Sequence, residues 1–383
     1  MLFGSITRRG VLGLALVMGC AASASHAGAE DTVTIGSFVS TSGPGAAYGL
    51  DQLQAIQLAI KQINAAGGIG GRKIVLDQQD TAFNKTEAQS VMRGFVGNKS
   101  IIGIVGPTSS AEAFAADPMA VAAGLPVLAP NNGAQGVPQI GPYVHRIGVP
   151  EELLLPGAAS YAAKKLKLKS AAIMYAQNDP FATTGYKAFE SSLKADGVDV
   201  VEVIGYDSST VDFTAQLQRI KDKKPDAVFV AALATDAAVL LRQMRQAGIT
   251  SPVVGNLAFT SPALVKAAGD AVEGLVVAAT WDPTNPSEMN QTFIKEYKAA
   301  YNRDPTPLSV PAYNCVYIIK EALEKSKDFT REGLQKGLLQ MNGFHYLGVE
   351  IDFKDIVGGL RDAAVKIPVL FQHKDGQLVK LSD

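Results

Sequence analysis

Ser100-Ile101-Ile102-Gly103-Ile104-Val105-Gly106-Pro107-Thr108-Ser109-Ser110, resumed after a helical segment by Leu125-Pro126-Val127-Leu128-Ala129-Pro130-Asn131-Asn132-Gly133, decides how the rest of the chain is read. Ser100 to Val105 is short, apolar and β-branched, which suits a strand covered on both faces. Gly106-Pro107 stops it, and Thr108, Ser109 and Ser110 are good N-cap residues for a helix beginning near Ala111. Such a helix turns unpaired N–H groups and the positive end of its dipole toward the carboxyl edge of the strand. Open α/β sheets bind their ligands there. Leu125 to Ala129 predicts the neighbouring strand, and Asn131-Asn132-Gly133 emerges beside the hydroxyls. The stretch is expected to form an anion seat, best matched to a carboxylate. The competing reading is that Ser109 and Ser110 only cap the helix.

Working outward, the same alternation recurs. Val33 to Val39 reads as strand, and Tyr48 to Ala65 as a helix with Leu50, Leu53, Ile56, Ile60 and Ile63 on one face. Lys73–Leu76 is the next strand, Thr86–Asn98 the next helix, and Tyr143–Gly148 a strand beyond the central stretch. This order predicts a mainly parallel, doubly wound sheet. A second set follows from Pro150, with strands at Ala171–Tyr175, Val200–Tyr206, Ala227–Ala232, Pro252–Gly255 and Gly274–Thr280. Helices are expected at Ser287–Tyr301, Val310–Ser326 and Arg331–Met341, and a last strand at Val365–Gln372. Two similar α/β units predict two lobes with a cleft between them.

Composition narrows the class. A chain of 383 residues can hold two domains, and 35 basic against 36 acidic residues leave no electrostatic footprint for nucleic acid. Residues 1–27 read as an export signal: Arg8-Arg9, an apolar run from Val11 to Gly19 too short to span a bilayer, and Ser25-His26-Ala27 as a cleavage site. Thr7 to Leu12 resembles a twin-arginine signal, while Val17-Met18-Gly19-Cys20 resembles a lipobox that would anchor Cys20. Periplasmic location is the expectation in either case. Of the two cysteines, only Cys315 lies beyond this leader, so no disulfide is expected.

Taken together, these residues resemble a known family. Ser42-Gly43-Pro44 with Tyr48-Gly49, Ile63 to Ile69, Gly106 to Ser110, Asn178-Asp179 with Phe181, Leu240 to Gln243 and Ala268 to Leu275 follow the order and spacing of type I periplasmic solute-binding proteins. The likeness is to the group serving branched-chain amino-acid ABC transporters, and it covers essentially all of the chain after the leader. It implies two doubly wound parallel-sheet lobes joined by three crossovers, near Gly148-Val149, Trp281-Asp282 and Asp352-Phe353. Lobe 1 would be 28–149 plus 282–352, and lobe 2 would be 150–281 plus 353–383. The ligand would lie between the lobes, and closure would bury it.

The resemblance also implies a site. Its carboxylate seat maps onto Ser110 with Ser109 adjoining, and onto Asn131 and Gly133, where the family often has a small residue and a hydroxyl; Asn131-Asn132-Gly133 departs by offering amide groups or bare backbone. Tyr48 and Phe181 map onto its aromatic walls. A second-lobe carboxylate that pairs with a ligand ammonium maps onto Leu257, and a helping tyrosine onto the apolar Leu233-Ala234. An ammonium buried against leucine without a counter-charge costs several kcal/mol. The expected ligand is therefore a small carboxylate with an apolar or aromatic body, ahead of a branched-chain or other amino acid, unless an acid such as Asp236 substitutes.

Other signals carry less. Gly67 to Gly71 lies after a helix and before a strand, the reverse of the phosphate-binding order. His26, His145, His345 and His373 are scattered, without metal-ligand spacing. Ser110 lacks a nucleophile elbow, and Cys315 reads as a buried thiol in an aliphatic helix. The expectation is a non-enzymatic, monomeric binding protein without cofactor or metal, delivering its ligand to an inner-membrane ABC permease. A ligand-sensing domain for a separate receptor is the alternative from another class.

Overall fold

The computed structural model describes residues 32–341, 343–347, 349–356, 360–364 and 368–381. The expected export signal, with Cys20 and His26, lies outside the described residues. The chain opens with β1 (Thr32–Ser37), α1 (Ala46–Ala65), β2 (Lys73–Gln78), α2 (Lys85–Gly97), β3 (Ile101–Val105), α3 (Ser110–Ala122), β4 (Val127–Ala129) and β5 (Val144–Arg146). It then builds α4 (Glu151–Lys165), β6 (Ser170–Ala176), α5 (Pro180–Ala195), β7 (Asp199–Tyr206), α6 (Thr214–Lys223), β8 (Ala227–Ala231), α7 (Ala234–Gln246), β9 (Val253–Gly255), α8 (Pro262–Ala268) and β10 (Val276–Ala279). Helices α9 (Glu288–Tyr301), α10 (Ser309–Ser326) and α11 (Arg331–Leu339) follow, then β11 (Phe344–Tyr346), β12 (Val349–Ile356) and β13 (Leu360–Ala364). Last come β14 (Val369–Lys374) and β15 (Gln377–Lys380).

Two sheets result, in the orders β11-β12-β13-β5-β4-β3-β1-β2 and β15-β14-β10-β9-β8-β6-β7. Counting strands within each unit, both contain the parallel order 2-1-3-4-5. In that order the crevice opens where the winding reverses, between the first and third strands. All five residues of β3 are buried, which its continuous apolar run requires of a strand covered on both faces. Each sheet has its own apolar core: Ile35, Ile56, Ile63 and Val316 belong to the first, and Ile173, Phe189, Phe229 and Leu240 to the second.

Two expectations need correction. The third crossover is not at Asp352-Phe353. Strand β12 pairs antiparallel with β13, and β13 pairs parallel with β5, so both stay in the first sheet. The chain first enters the second sheet again at β14, which pairs antiparallel with β10. On α1, Leu50 is 42% exposed, while Asp51 and Gln52 point inward. Asp51 is held there by Arg303, 2.5 Å away, and by the Thr306 hydroxyl at 2.7 Å, so an ion pair takes the place expected for leucine.

Candidate functional site

The site is assembled from loops that follow corresponding strands in the two sheets. From the first come the segment after β1 leading into α1, the loop from β3 into α3, and the residues after β4. From the second come the loop from β6 into α5, the start of α7 after β8, and the short 3-10 turn Leu257–Thr260 after β9. They line a narrow cavity, partly open to solvent, with about 40 Å³ of free space inside it. Tyr48, Ser109, Ser110, Asn131, Phe181, Leu233 and Leu257 all line it, as do Gln52, Phe83, Thr108, Asp179, Ala258 and Leu308. None of the lining residues is basic.

At the polar end, α3 begins with a capping box. The Ser109 hydroxyl accepts from the Glu112 N–H at 3.2 Å and donates to the Glu112 carboxylate at 2.8 Å, which also accepts the Ser109 N–H at 3.0 Å. The same carboxylate receives the Ser40 and Thr81 hydroxyls. For Ser109, capping is therefore the role the geometry provides. Ser110 differs: its oxygen accepts the Ala134 N–H at 3.2 Å, tying the β3 and β4 loops together, and its own hydroxyl proton has no acceptor among the described residues. The first helical N–H groups, at Ser110 and Ala111, have no partner among the described residues, as expected at an α-helix start. Thr108 is committed, accepting from Ser40 N at 2.8 Å and donating to Gln52 at 2.9 Å.

Asn131 donates to the Leu308 carbonyl at 2.8 Å, while its buried side-chain oxygen has no partner among the described residues. Asn132 and Gly133 do not line the cavity. Asn132 is fully buried, with both amide atoms unpaired among the described residues. Gly133 lies under the wall instead: a Cβ there would meet the Phe181 ring at 2.9 Å and the Glu151 stem at 3.3 Å. Only glycine lets that loop approach the ring so closely. Gly49 is comparably constrained, because a Cβ would strike the Ser40 carbonyl oxygen at 1.8 Å.

The far end is apolar. Leu257 is 4% exposed and faces the cavity with Ala258, Leu233 and Phe181. Asp236 does not reach it. Its carboxylate accepts the Tyr206 hydroxyl at 2.9 Å, and burial carries its pKa from 3.8 up to about 7. Asp179 is the one acid in the lining, unnoticed in the sequence as a site residue although it stands in the Asn178-Asp179 motif. It caps α5 by accepting the Ala182 N–H at 2.9 Å, and burial raises its pKa while Lys85 opposes the rise. The signal for it was the Asp-Pro pair at a helix start.

Tyr48 spans the cleft. Carried by α1, it packs into the second lobe's apolar cluster, and its oxygen accepts the Ala234 N–H at 2.6 Å. Burial pushes its hydroxyl pKa well up. The Gln135 N–H likewise donates to Thr184 across the lobes at 3.0 Å. His145 and His373 are buried and structural, bonded to Gln335 and to the Phe259 carbonyl, and Cys315 is a buried thiol. The described residues contain no cluster of three metal-ligating side chains, and no described helix is long and apolar enough to cross a membrane.

Two lobes, each built on a largely parallel sheet, around a cleft lined from both sides define a binding-protein architecture. The chain belongs to the periplasmic binding protein family, whose model matches residues 32–360. A leucine-, isoleucine-, valine-, threonine- and alanine-binding protein of Pseudomonas aeruginosa is 28% identical over 331 residues, covering 84% of this chain and 86% of the relative. Among solved structures, the branched-chain amino acid transporter substrate-binding protein LivJ of Streptococcus pneumoniae, in complex with isoleucine, aligns with a TM-score of 0.83 at 25% identity. That alignment covers 92% of this chain and 100% of the other. A solute-binding protein of an ABC transporter from Rhodopseudomonas palustris BisB5, in complex with 3,4-dihydroxybenzoic acid, aligns at 0.81 and 26% identity, over 92% and 97% of the two chains. The type I periplasmic binding fold and the solute-binding class are thereby established.

Proposed function

We propose that the protein is the exported solute-binding component of an ABC transporter, that it takes a small carboxylate lacking an ammonium, and that it delivers this ligand to its permease as a monomer. The observation that carries the ligand class is the apolar end formed by Leu257, Leu233 and Phe181, facing the free Ser110 hydroxyl and the α3 N-terminus. A carboxylate gains hydrogen bonds and a favourable dipole at one end. Its apolar body gains roughly 25 cal/mol for each Å² removed from water at the other. An ammonium placed against the Leu257 side chain loses water and meets no charged group on that wall.

An amino acid is the second reading. The Asp179 carboxyl in the lining favours it, and so do relatives that carry amino-acid names. Titration calorimetry on protein stripped of bound ligand separates the two, using leucine against 4-methylpentanoate and phenylalanine against 3-phenylpropanoate. The des-amino acids are expected to bind more tightly, by tenfold or more, near neutral pH. A tenfold preference for the amino acids, about 1.4 kcal/mol, replaces this ligand class with the second reading.

A further inference from the structure

Behind the apolar wall stands an acid that neither the anion seat nor the wall uses. Glu151 is the first residue of α4, just after the crossover from β5. It is 0% exposed, and both carboxyl oxygens are without a hydrogen-bond partner among the described residues. Its backbone N–H donates to the Gly133 carbonyl at 3.1 Å. Its stem touches the space that a side chain on Gly133 would occupy, against the Phe181 ring, and one carboxyl oxygen faces Gly185. The Leu257 N–H is the donor nearest to favouring its charged form, without reaching hydrogen-bond geometry. Glu151 therefore sits directly behind the lining, between Gly133 under the wall and Leu257 and Phe181 in it.

A fully buried carboxyl with no partner is costly ionised and tolerable neutral. Burial and the neighbouring carboxyls of Glu152, on α4, and Asp179, before α5, hold its proton on. We propose that Glu151 is the specificity-determining acid of the cleft, the group against which a ligand ammonium is held, and that accepting such a ligand releases the carboxyl's proton to solvent. The neutral carboxyl and the ligand ammonium enter; the carboxylate–ammonium pair and one free proton leave. A des-amino ligand makes no such demand, and Glu151 keeps its proton. This inference rests on the proposed ligand class and gives it a mechanism: the preference against amines is strongest in acid and relaxes as pH rises.

Calorimetry of leucine binding in two buffers of different ionisation enthalpy counts the protons on the unaltered protein. Leucine binding should release protons to the buffer, and 4-methylpentanoate binding none. Leucine affinity should rise severalfold per pH unit, up to tenfold. In Glu151→Gln, an isostere of the neutral acid, leucine should release no proton and lose its pH slope, and selectivity should move at least tenfold further toward the des-amino acid. Leucine binding without proton release, or release that persists in Glu151→Gln, overturns the inference and points to Asp179.

If neither ligand binds, the proposed ligand class fails, yet Glu151 is still read by melting the free proteins between pH 5 and 9. A carboxyl whose folded pKa lies above its unfolded value contributes stability at low pH and loses it as pH rises. The melting difference between Glu151→Gln and the unaltered protein should therefore widen with pH. A constant difference overturns the inference.

Discussion

At the scale of single residues, the neighbouring serines have different work. Ser109→Ala removes a helix cap, so it should cost about 1 kcal/mol of stability in denaturant titrations. Ser110→Ala removes the hydroxyl free to meet a ligand anion, so it should weaken carboxylate binding by roughly 1–3 kcal/mol, read by calorimetry with the fold intact. Equal effects of the two changes on affinity would remove Ser110 from the proposed seat. Residue type and loop position pointed to Ser110, and the family resemblance to Tyr48, Phe181 and Leu257; all four line the cavity. Gln52, Phe83 and Leu308 were not legible, because they reach the cleft from elements whose neighbours are fixed only by packing. Glu151 escaped for a related reason. In the sequence it reads as an ordinary acid in the first turn of a helix, favoured there by the dipole, and only the fold reveals that it is sealed from water.

At the scale of elements, the start of α7 carries a buried acid with a pH signature. Asp236 is raised from 3.8 to about 7 by burial, with the Tyr206 hydroxyl opposing the rise. Its stabilising contribution is complete below pH 3.8, fades as pH climbs to about 7, and is gone above that. Ionising it in place costs on the order of 4 kcal/mol. Asp236→Asn should therefore match the unaltered protein near pH 4 and exceed it by up to about that amount at pH 8, measured by denaturant unfolding. A difference that does not grow with pH would show the carboxyl to be solvated. Most elements were legible within a few residues, the helix over Arg331–Leu339 included, because each pairs a clear apolar pattern with a stop signal. The exceptions lie late in the chain, where β11, β12, β13 and β15 were not anticipated, and β12 shows why. Val349-Glu350-Ile351-Asp352-Phe353-Lys354 alternates strictly, the mark of an antiparallel strand. A crossover expected inside that run concealed the pattern.

At the scale of the molecule, two lobes with a cleft between them are expected to close on ligand by a hinge motion about the crossovers. Small-angle scattering should give a smaller radius of gyration with saturating ligand than without; superimposable curves would count against a closing cleft. The two-lobe plan was legible because strand–helix alternation runs twice along the chain. The closeness of the lobes was not, since it depends on contacts such as that from Tyr48 to Ala234. That contact joins the protein to itself and needs no ligand, so it favours the shut form on its own account. A ligand whose contacts span both lobes then finds its partners already arranged, and its apparent affinity rises with the fraction of molecules in that arrangement. Entry, however, requires the same bond to break first. Strengthening the Tyr48 bridge should thus tighten equilibrium binding while slowing the association rate, and loosening it should do the reverse. The Tyr48 hydroxyl, with the Gln135–Thr184 bond across the same lobes, is expected to exchange capture speed for retention.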